Sequence, residues 1–301
     1  MIIKLIVQLR KGNHHLYTVT GASKHSFKVF GFLSDERAFA SKAPALYRVL
    51  MELVGISGTY TAFMVEPEDL EAAVQGLRAL HIAGANIGVP YQEQIIPHLF
   101  ALSEGAKIIG AVNTIVRHGR YYKGFNTNAL GFMDALGAAG FKTAACKSAL
   151  VVGTGGAARA AVFVFNWLGI PSMVVTGRQL KHAQKVVTHI GGGQPDLLAS
   201  LAGQPITANI VINATTVSHA DEAPDLATLI KQIDLRDCQM VVDFNYDRQP
   251  NIWRELADRQ GVKFMDGLPI LGHQATHALA LFWPGLKISP ATVAAAVKKF
   301  T

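Results

Sequence analysis

Glycines at 153, 155 and 156 end an apolar, β-branched run, Ala149-Leu-Val-Val152, and open an alanine-rich helical pattern. Strand, tight turn and helix in that order form the site that holds a dinucleotide pyrophosphate. Gly153 permits the turn, Gly155 lets the backbone approach the pyrophosphate, and the small Ala158 lets the helix lie close on its strand. Thr154, Gly156 and Ala157 complete the segment, where free amides at the positive helix end face the anion. Parallel sheets also contain such turns without a ligand. Here a second apolar strand, Met173 to Thr176, follows one helix later and supports the dinucleotide reading.

A nicotinamide site for the unphosphorylated cofactor usually carries an acid at the end of that second strand, for the ribose hydroxyls. This chain has Gly177 and Arg178, followed by Lys181 and His182. A guanidinium with cations nearby suits a 2′-phosphate through paired, charge-assisted bonds. NADP is therefore expected in preference to NAD. The plain alternative is that Arg178 and Lys181 form a solvated helix start.

Other reactive groups point nowhere definite. Cys146 and Cys238 are the only cysteines, without metal or disulfide spacing, which fits a reducing cytoplasm. His273 and His277 have i, i+4 spacing but no third ligand nearby, so no metal is expected. The net charge of +7 comes from scattered cations, with no basic helix or aromatic-interleaved stripe, so nucleic acid is not an expected partner. A phosphorylated cofactor and a small polar anionic substrate account for part of that charge.

The elements that must position these groups follow from periodicity. With 301 residues, half of them apolar, two domains and a sizeable core are expected. Apolar runs at Phe27 to Leu33, Thr59 to Val65 and Ala83 to Val89 alternate with amphipathic stretches at Pro44 to Val54 and Pro67 to Leu80, giving an α/β domain with a mostly parallel sheet. A break is read at Gly119 to Gly124, then a helix over Asn126 to Ala138. Further strands are read at Ile210 to Ala214 and Met240 to Phe244, and helices from Leu271 to Phe282 and Pro290 to Phe300. The expected division is a substrate-binding α/β domain over residues 1–125, completed by helices of 272–301, and a Rossmann dinucleotide domain over 126–271. Met1 to Val7 is too short and interrupted to span a membrane and reads as a strand.

With both halves in view, the chain resembles the shikimate dehydrogenase family over most of its length. The matching pieces occur in the family's order: Ala85-Asn-Ile-Gly-Val-Pro90, Gly110-Ala-Val-Asn-Thr114, Gly124-Phe-Asn-Thr-Asn128, the glycine turn, Ile212-Asn-Ala-Thr215, Asp243 to Tyr246, and Asp266-Gly-Leu-Pro-Ile-Leu271 with Gln274. The resemblance implies a cleft between the two domains and NADP- or NAD-linked hydride transfer to a ring carbon of 3-dehydroshikimate, in aromatic amino acid biosynthesis. It also implies Thr215 and Gly267 on the cofactor side and Asn86, Asn113, Tyr246 and Gln274 on the substrate side.

The departures are as informative. The family's lysine and aspartate, which exchange a proton with the substrate oxygen, fall on Gln92 and Asn128. Carboxamides hold the same oxygens by hydrogen bonds but neither accept nor release a proton at useful pH. Changing both removes an ion pair and preserves neutrality. Two serines that hold the substrate carboxylate fall on Ser41 and Ala43, with Lys42 between them, and a threonine falls on Gly88. Each lost contact in a buried site forfeits about 1 to 3 kcal/mol. Lys42 is the preferred replacement proton relay, with Tyr91 and Tyr246 also within the neighbourhood; Lys42 serving as a point charge for a carboxylate, or facing solvent, remains open. Ser218 and His219 replace a Gly-Met pair and either reshape the nicotinamide pocket or belong to a loop. The expected activity is an NADP-dependent oxidoreductase, monomer or homodimer, with an altered substrate. The alternative is a binding protein without turnover on the same fold.

Overall fold

The computed structural model describes residues 27–202 and 206–300, so the expected strand at Met1 to Val7 lies outside the described residues. The first half is built on β1 (Lys28–Ser34), β2 (Gly58–Met64), β3 (Gly84–Ile87), β4 (Ala101–Leu102), β5 (Thr114–His118) and β6 (Tyr121–Phe125). Their order is β2-β1-β3-β5-β6-β4. β1 pairs in parallel with β2 and β3, and β4 with β6, while β5 runs antiparallel to both of its neighbours. The break read at Gly119 to Gly124 is therefore a hairpin. Gly119, at φ +60°, makes the turn, and the strand that follows buries Tyr122 and Gly124 on alternate positions.

Helices α1 (Ala43–Leu53), α2 (Leu70–Ala79), α3 (Tyr91–Gln94) and α4 (Glu104–Ile109) connect these strands. The helix expected from Pro67 starts as a 3-10 turn over Pro67–Asp69 before α2. α4 is capped by the Ser103 hydroxyl, which accepts from the Ala106 amide, and ends at Gly110 in the left-handed region.

The second half alternates strand and helix: α5 (Asn128–Ala138), β7 (Ser148–Val152), α6 (Gly156–Trp167), β8 (Ser172–Gly177), α7 (Leu180–Ile190), β9 (Gln194–Leu197), β10 (Ile210–Asn213), α8 (Pro224–Lys231), β11 (Met240–Asp243), α9 (Ile252–Arg259) and β12 (Lys263–Met265). All strand pairings are parallel, in the order β12-β11-β10-β7-β8-β9. That is the doubly wound Rossmann arrangement, whose order reverses between β7 and β10, where ligands bind beyond the carboxyl ends.

Two final helices, α10 (Gly267–Phe282) and α11 (Pro290–Val297), return to the first half. α10 begins four residues before the expected Leu271, because the Asp266 carboxylate caps the Leu268 amide, and it runs unbroken through the expected junction at 271/272. Leu268, Leu271, Ala275 and Leu279 enter the core of the first half, whereas Ile270 enters that of the second. α10 also lies tight on α5: a Cβ on Gly131 would stand 2.6 Å from the Gln274 amide nitrogen.

Candidate active site in the cleft

Between the halves, at the switch point, lies a cavity of about 1070 Å³. Gly153 turns out of β7 at φ +125°, with the Ala214 carbonyl oxygen 2.7 Å from the place a Cβ would take, so only glycine fits. Gly155 has open space on that side, and no side chain caps α6. The first-turn amides are left for an anion. Ala158, in the first turn of α6, is fully buried. Thr154, Gly156 and Ala157 line the cavity, as do Thr215, whose amide nitrogen lies 3.1 Å from a Cβ position on Gly153, and Gly267, and Arg178 projects from the end of β8, where no acid stands. Lys181 is exposed one turn further on and does not line the cavity. An uncapped helix end, open space above Gly155 and a guanidinium at the second strand fit a dinucleotide with a 2′-phosphate.

Gln92 and Asn128 line the cleft side by side. The Asn128 Nδ2 donates to Gln92 Oε1 at 3.2 Å, and Gln92 Nε2 donates to the Ile87 carbonyl at 3.0 Å. Behind them, Asn113 Nδ2 donates to Asn128 Oδ1 at 2.6 Å, while Asn113 Oδ1 accepts from the Thr127 backbone amide at 2.7 Å. A backbone N–H at one end and a backbone carbonyl at the other orient every amide in this series. Each of the Gln92 and Asn128 amide nitrogens keeps one hydrogen for a ligand. Gln92 also leans on the phosphate turn: a Cβ on Gly156 would collide with its Oε1.

Asn86 and Asn113 are buried behind this pair and do not line the large cavity. Asn86 accepts from the Tyr60 hydroxyl at 2.9 Å and donates to Thr114 Oγ1 at 2.9 Å. Tyr60 is stacked on Tyr47, and burial holds both phenols far above the ordinary tyrosine range. Neither releases a proton near neutral pH. Where the resemblance expects a threonine at Gly88, the Phe32 ring and the Ser34 hydroxyl occupy the space at 2.7 and 2.9 Å from a Cβ position.

Tyr246 and Gln274 line the cleft, whereas Ser41 lines a separate cavity of about 500 Å³ beside α1 and reaches Tyr246 only through its hydroxyl, at 3.3 Å. The Lys42 ammonium is turned away from the cleft: it meets Asp247 Oδ2 at 2.5 Å and the Phe300 carbonyl at 2.9 Å. That placement gives Lys42 neither a proton-relay position nor a free charge for a carboxylate. Tyr91 is also out of reach, fully buried with its hydroxyl on the Val65 carbonyl. His219 is a loop residue whose Nδ1 accepts from the Asp221 amide at 3.2 Å, capping the short turn Ala220–Glu222. His277 Nε2 lies 2.7 Å from Asp134 Oδ2. No His, Cys, Asp or Glu cluster among the described residues could hold a metal, and no helix among them is long and apolar enough to cross a membrane.

Sequence reasoning missed two charged features. Arg159, on α6, is 4% exposed and pairs with Glu93 Oε2 at 3.0 Å, across the junction of the halves and one residue from Gln92. The only available signal was a lone charged residue in a helix that is otherwise apolar but for Asn166. Asp243 is fully buried at the end of β11. Burial pushes its carboxyl up, and bonds from Ser218, the Asn245 amide, Asn251 and Asn213 only partly pull it back.

Comparison with known proteins agrees with this geometry. The shikimate dehydrogenase substrate binding domain matches residues 37–115. The chain is 35% identical over 255 residues to the shikimate dehydrogenase (NADP(+)) of Moorella thermoacetica, covering 81% of this chain and 84% of that protein. It is 31% identical over 265 residues to the enzyme of the same name from Desulforamulus reducens, covering 85% and 89%. Among solved structures, shikimate 5-dehydrogenase from Thermus thermophilus in complex with NADP(H) and shikimate superposes with a TM-score of 0.77 at 29% identity, covering 91% of this chain and 100% of that one. Shikimate dehydrogenase 1 from Peptoclostridium difficile gives 0.80 at 25% identity, covering 91% and 97%. The chain belongs to the shikimate dehydrogenase family.

Proposed function

We propose that this protein is an NADP-dependent oxidoreductase that transfers hydride between the nicotinamide and a carbonyl or alcohol carbon of a small polar, shikimate-like substrate other than shikimate itself. The observation that carries this reading is an intact dinucleotide turn facing a neutral, backbone-anchored amide pair, Gln92 and Asn128. Bound NADPH supplies the hydride. The spare N–H groups of Gln92 and Asn128 hold the substrate oxygen and stabilise charge that develops on it. Neither amide can deliver the proton, so it comes from water, and reduction needs no ionisation at these two positions. Oxidation of an alcohol lacks a base there and gains rate as hydroxide rises.

Calorimetry with NADP+ and NAD+ tests the cofactor half, with tighter uptake of NADP+ expected. For the substrate half, a panel of shikimate, quinate, their dehydro and amino forms and other cyclic polyols is assayed for cofactor turnover. Installing Gln92→Lys with Asn128→Asp is expected to raise shikimate oxidation at least about a hundredfold, within the usual range for general acid–base assistance. No gain from the double variant would show that the pocket, and not only its proton chemistry, has been rebuilt. The absent acid and base also favour a second reading, a ligand-binding protein without turnover, which stands if both cofactor and ligand bind and no panel member reacts.

A further inference from the structure

Asp243 accepts five hydrogen bonds, all from neutral groups. Its Oδ1 receives Asn213 Nδ2 at 2.8 Å and the Asn245 backbone and side-chain nitrogens, both at 3.0 Å. Its Oδ2 receives Ser218 Oγ at 2.6 Å and Asn251 Nδ2 at 2.8 Å. A fully buried carboxylate without a cation is costly to desolvate, and here that cost is offset only because converging donors satisfy both of its oxygens. What the carboxylate joins gives it a use. Its donors come from the last residue of β10 and from the segments after β10 and β11, and those segments carry Thr215, Val217, Phe244 and Tyr246 onto the cleft wall.

The ties continue beyond Asp243. Asn213 Oδ1 accepts from the Thr215 hydroxyl at 2.7 Å and its amide at 3.1 Å. Asn245 Nδ2 also donates to the Thr215 carbonyl at 2.9 Å and to Ser218 Oγ at 2.9 Å. Trp253 Nε1 holds the Val217 carbonyl at 3.1 Å. The next residue after Asn245, Tyr246, carries its hydroxyl to within 3.3 Å of both Ser41 Oγ and the Lys42 amide, on the other side of the junction. Two loops without regular secondary structure are thus indexed from a single buried point.

We propose that Asp243, with Ser218 as its chain-borne donor, is a positioning residue that locks Thr215 and Tyr246 into one unit, so that the dinucleotide wall and the substrate loop meet at a fixed separation. Its ligand half rests on the dinucleotide reading above; the tie itself does not. Ser218→Ala and Asp243→Asn are made in the full chain, with Asn245→Ala as a third variant that keeps the carboxylate should Asp243→Asn fail to fold. Three quantities are read: amide hydrogen exchange over residues 214–218 and 244–251, melting temperature, and NADP+ affinity by calorimetry. In Ser218→Ala the expected result is exchange at least tenfold faster in both segments and NADP+ affinity at least tenfold weaker, with melting lowered by less than about 5 °C. Exchange that quickens only around residue 218 overturns the tie. Faster exchange in both segments with unchanged NADP+ affinity reduces Asp243 to a structural role and overturns the positioning claim. If the unaltered protein takes up no NADP+, the dinucleotide reading falls, and the exchange result alone decides whether the two loops are coupled through Asp243.

Discussion

A carboxamide donates and accepts hydrogen bonds but cannot trade a proton as a lysine or a carboxyl can, and at residue scale that difference governs the cleft. That Gln92 and Asn128 fall where the family carries its lysine and aspartate was legible from the resemblance, but their orientation was not. It is set by the Thr127 amide and the Ile87 carbonyl, which touch opposite ends of the amide series. Arg159 and Asp243 were illegible for the same reason, since their partners stand far along the chain or across loops whose path no periodicity gives. The contact of Gln92 with the phosphate turn leads to a sharp expectation for Gly156→Ala. The new Cβ would collide with Gln92 Oε1 and stand 3.1 Å from its Cβ and Cδ, so the amide must turn away and the two segments must part slightly, at a cost of about 1 to 3 kcal/mol less the gain from alanine's better helix propensity. Gln92 must swing aside and release Asn128. Side-chain amide resonances of both residues should shift, with at least a tenfold drop in turnover of any cleft substrate; unmoved resonances would rule out the contact.

Elements were readable where pattern alone decides them. The β-branched runs ending at Val152, Thr176 and Asn213 became strands because buried parallel strands need no alternation. β9 escaped notice because Gln194-Pro-Asp-Leu197 contains a proline, which a sheet tolerates only at an edge, and the edge is where it sits. The turn after β10 depends on Glu222. Burial pushes this carboxyl up, but the His219 and Ser218 amides, with Arg248, outweigh burial and hold it below the ordinary range. A carboxyl with a depressed folded pKa contributes stability above its unfolded value, about pH 4.3, and loses it as pH falls through the folded one. The melting advantage of the unaltered protein over Glu222→Gln should therefore be full near neutral pH and fade on acidification below the ordinary glutamate range. A difference that stays constant with pH would mean the carboxylate is not what closes this turn.

At the scale of the molecule, one lysine pair and one arginine pair among the described residues bridge the halves, and their burial ranks them. Lys42 and Asp247 have side chains 20% and 61% exposed, so their pair is worth about 1 kcal/mol or less. Arg159 and Glu93 are unequal partners at 4% and 39%. The Arg159 Nε is buried without a partner, and one terminal nitrogen reaches only the Ile109 carbonyl at 3.5 Å, at the end of α4. Removing Glu93 strands a buried cation. Removing Arg159 leaves a carboxylate that can turn to water. Glu93→Gln should therefore destabilise the protein by about 3 kcal/mol and Arg159→Met by about 1 kcal/mol, although each deletes the same pair. The double variant should recover most of the loss caused by Glu93→Gln, because the stranded charge is gone. Denaturant melts of the three variants measure this order directly. Equal losses in the two single variants would mean that solvent reaches Arg159, and that the junction beside Gln92 is looser than the buried pair implies.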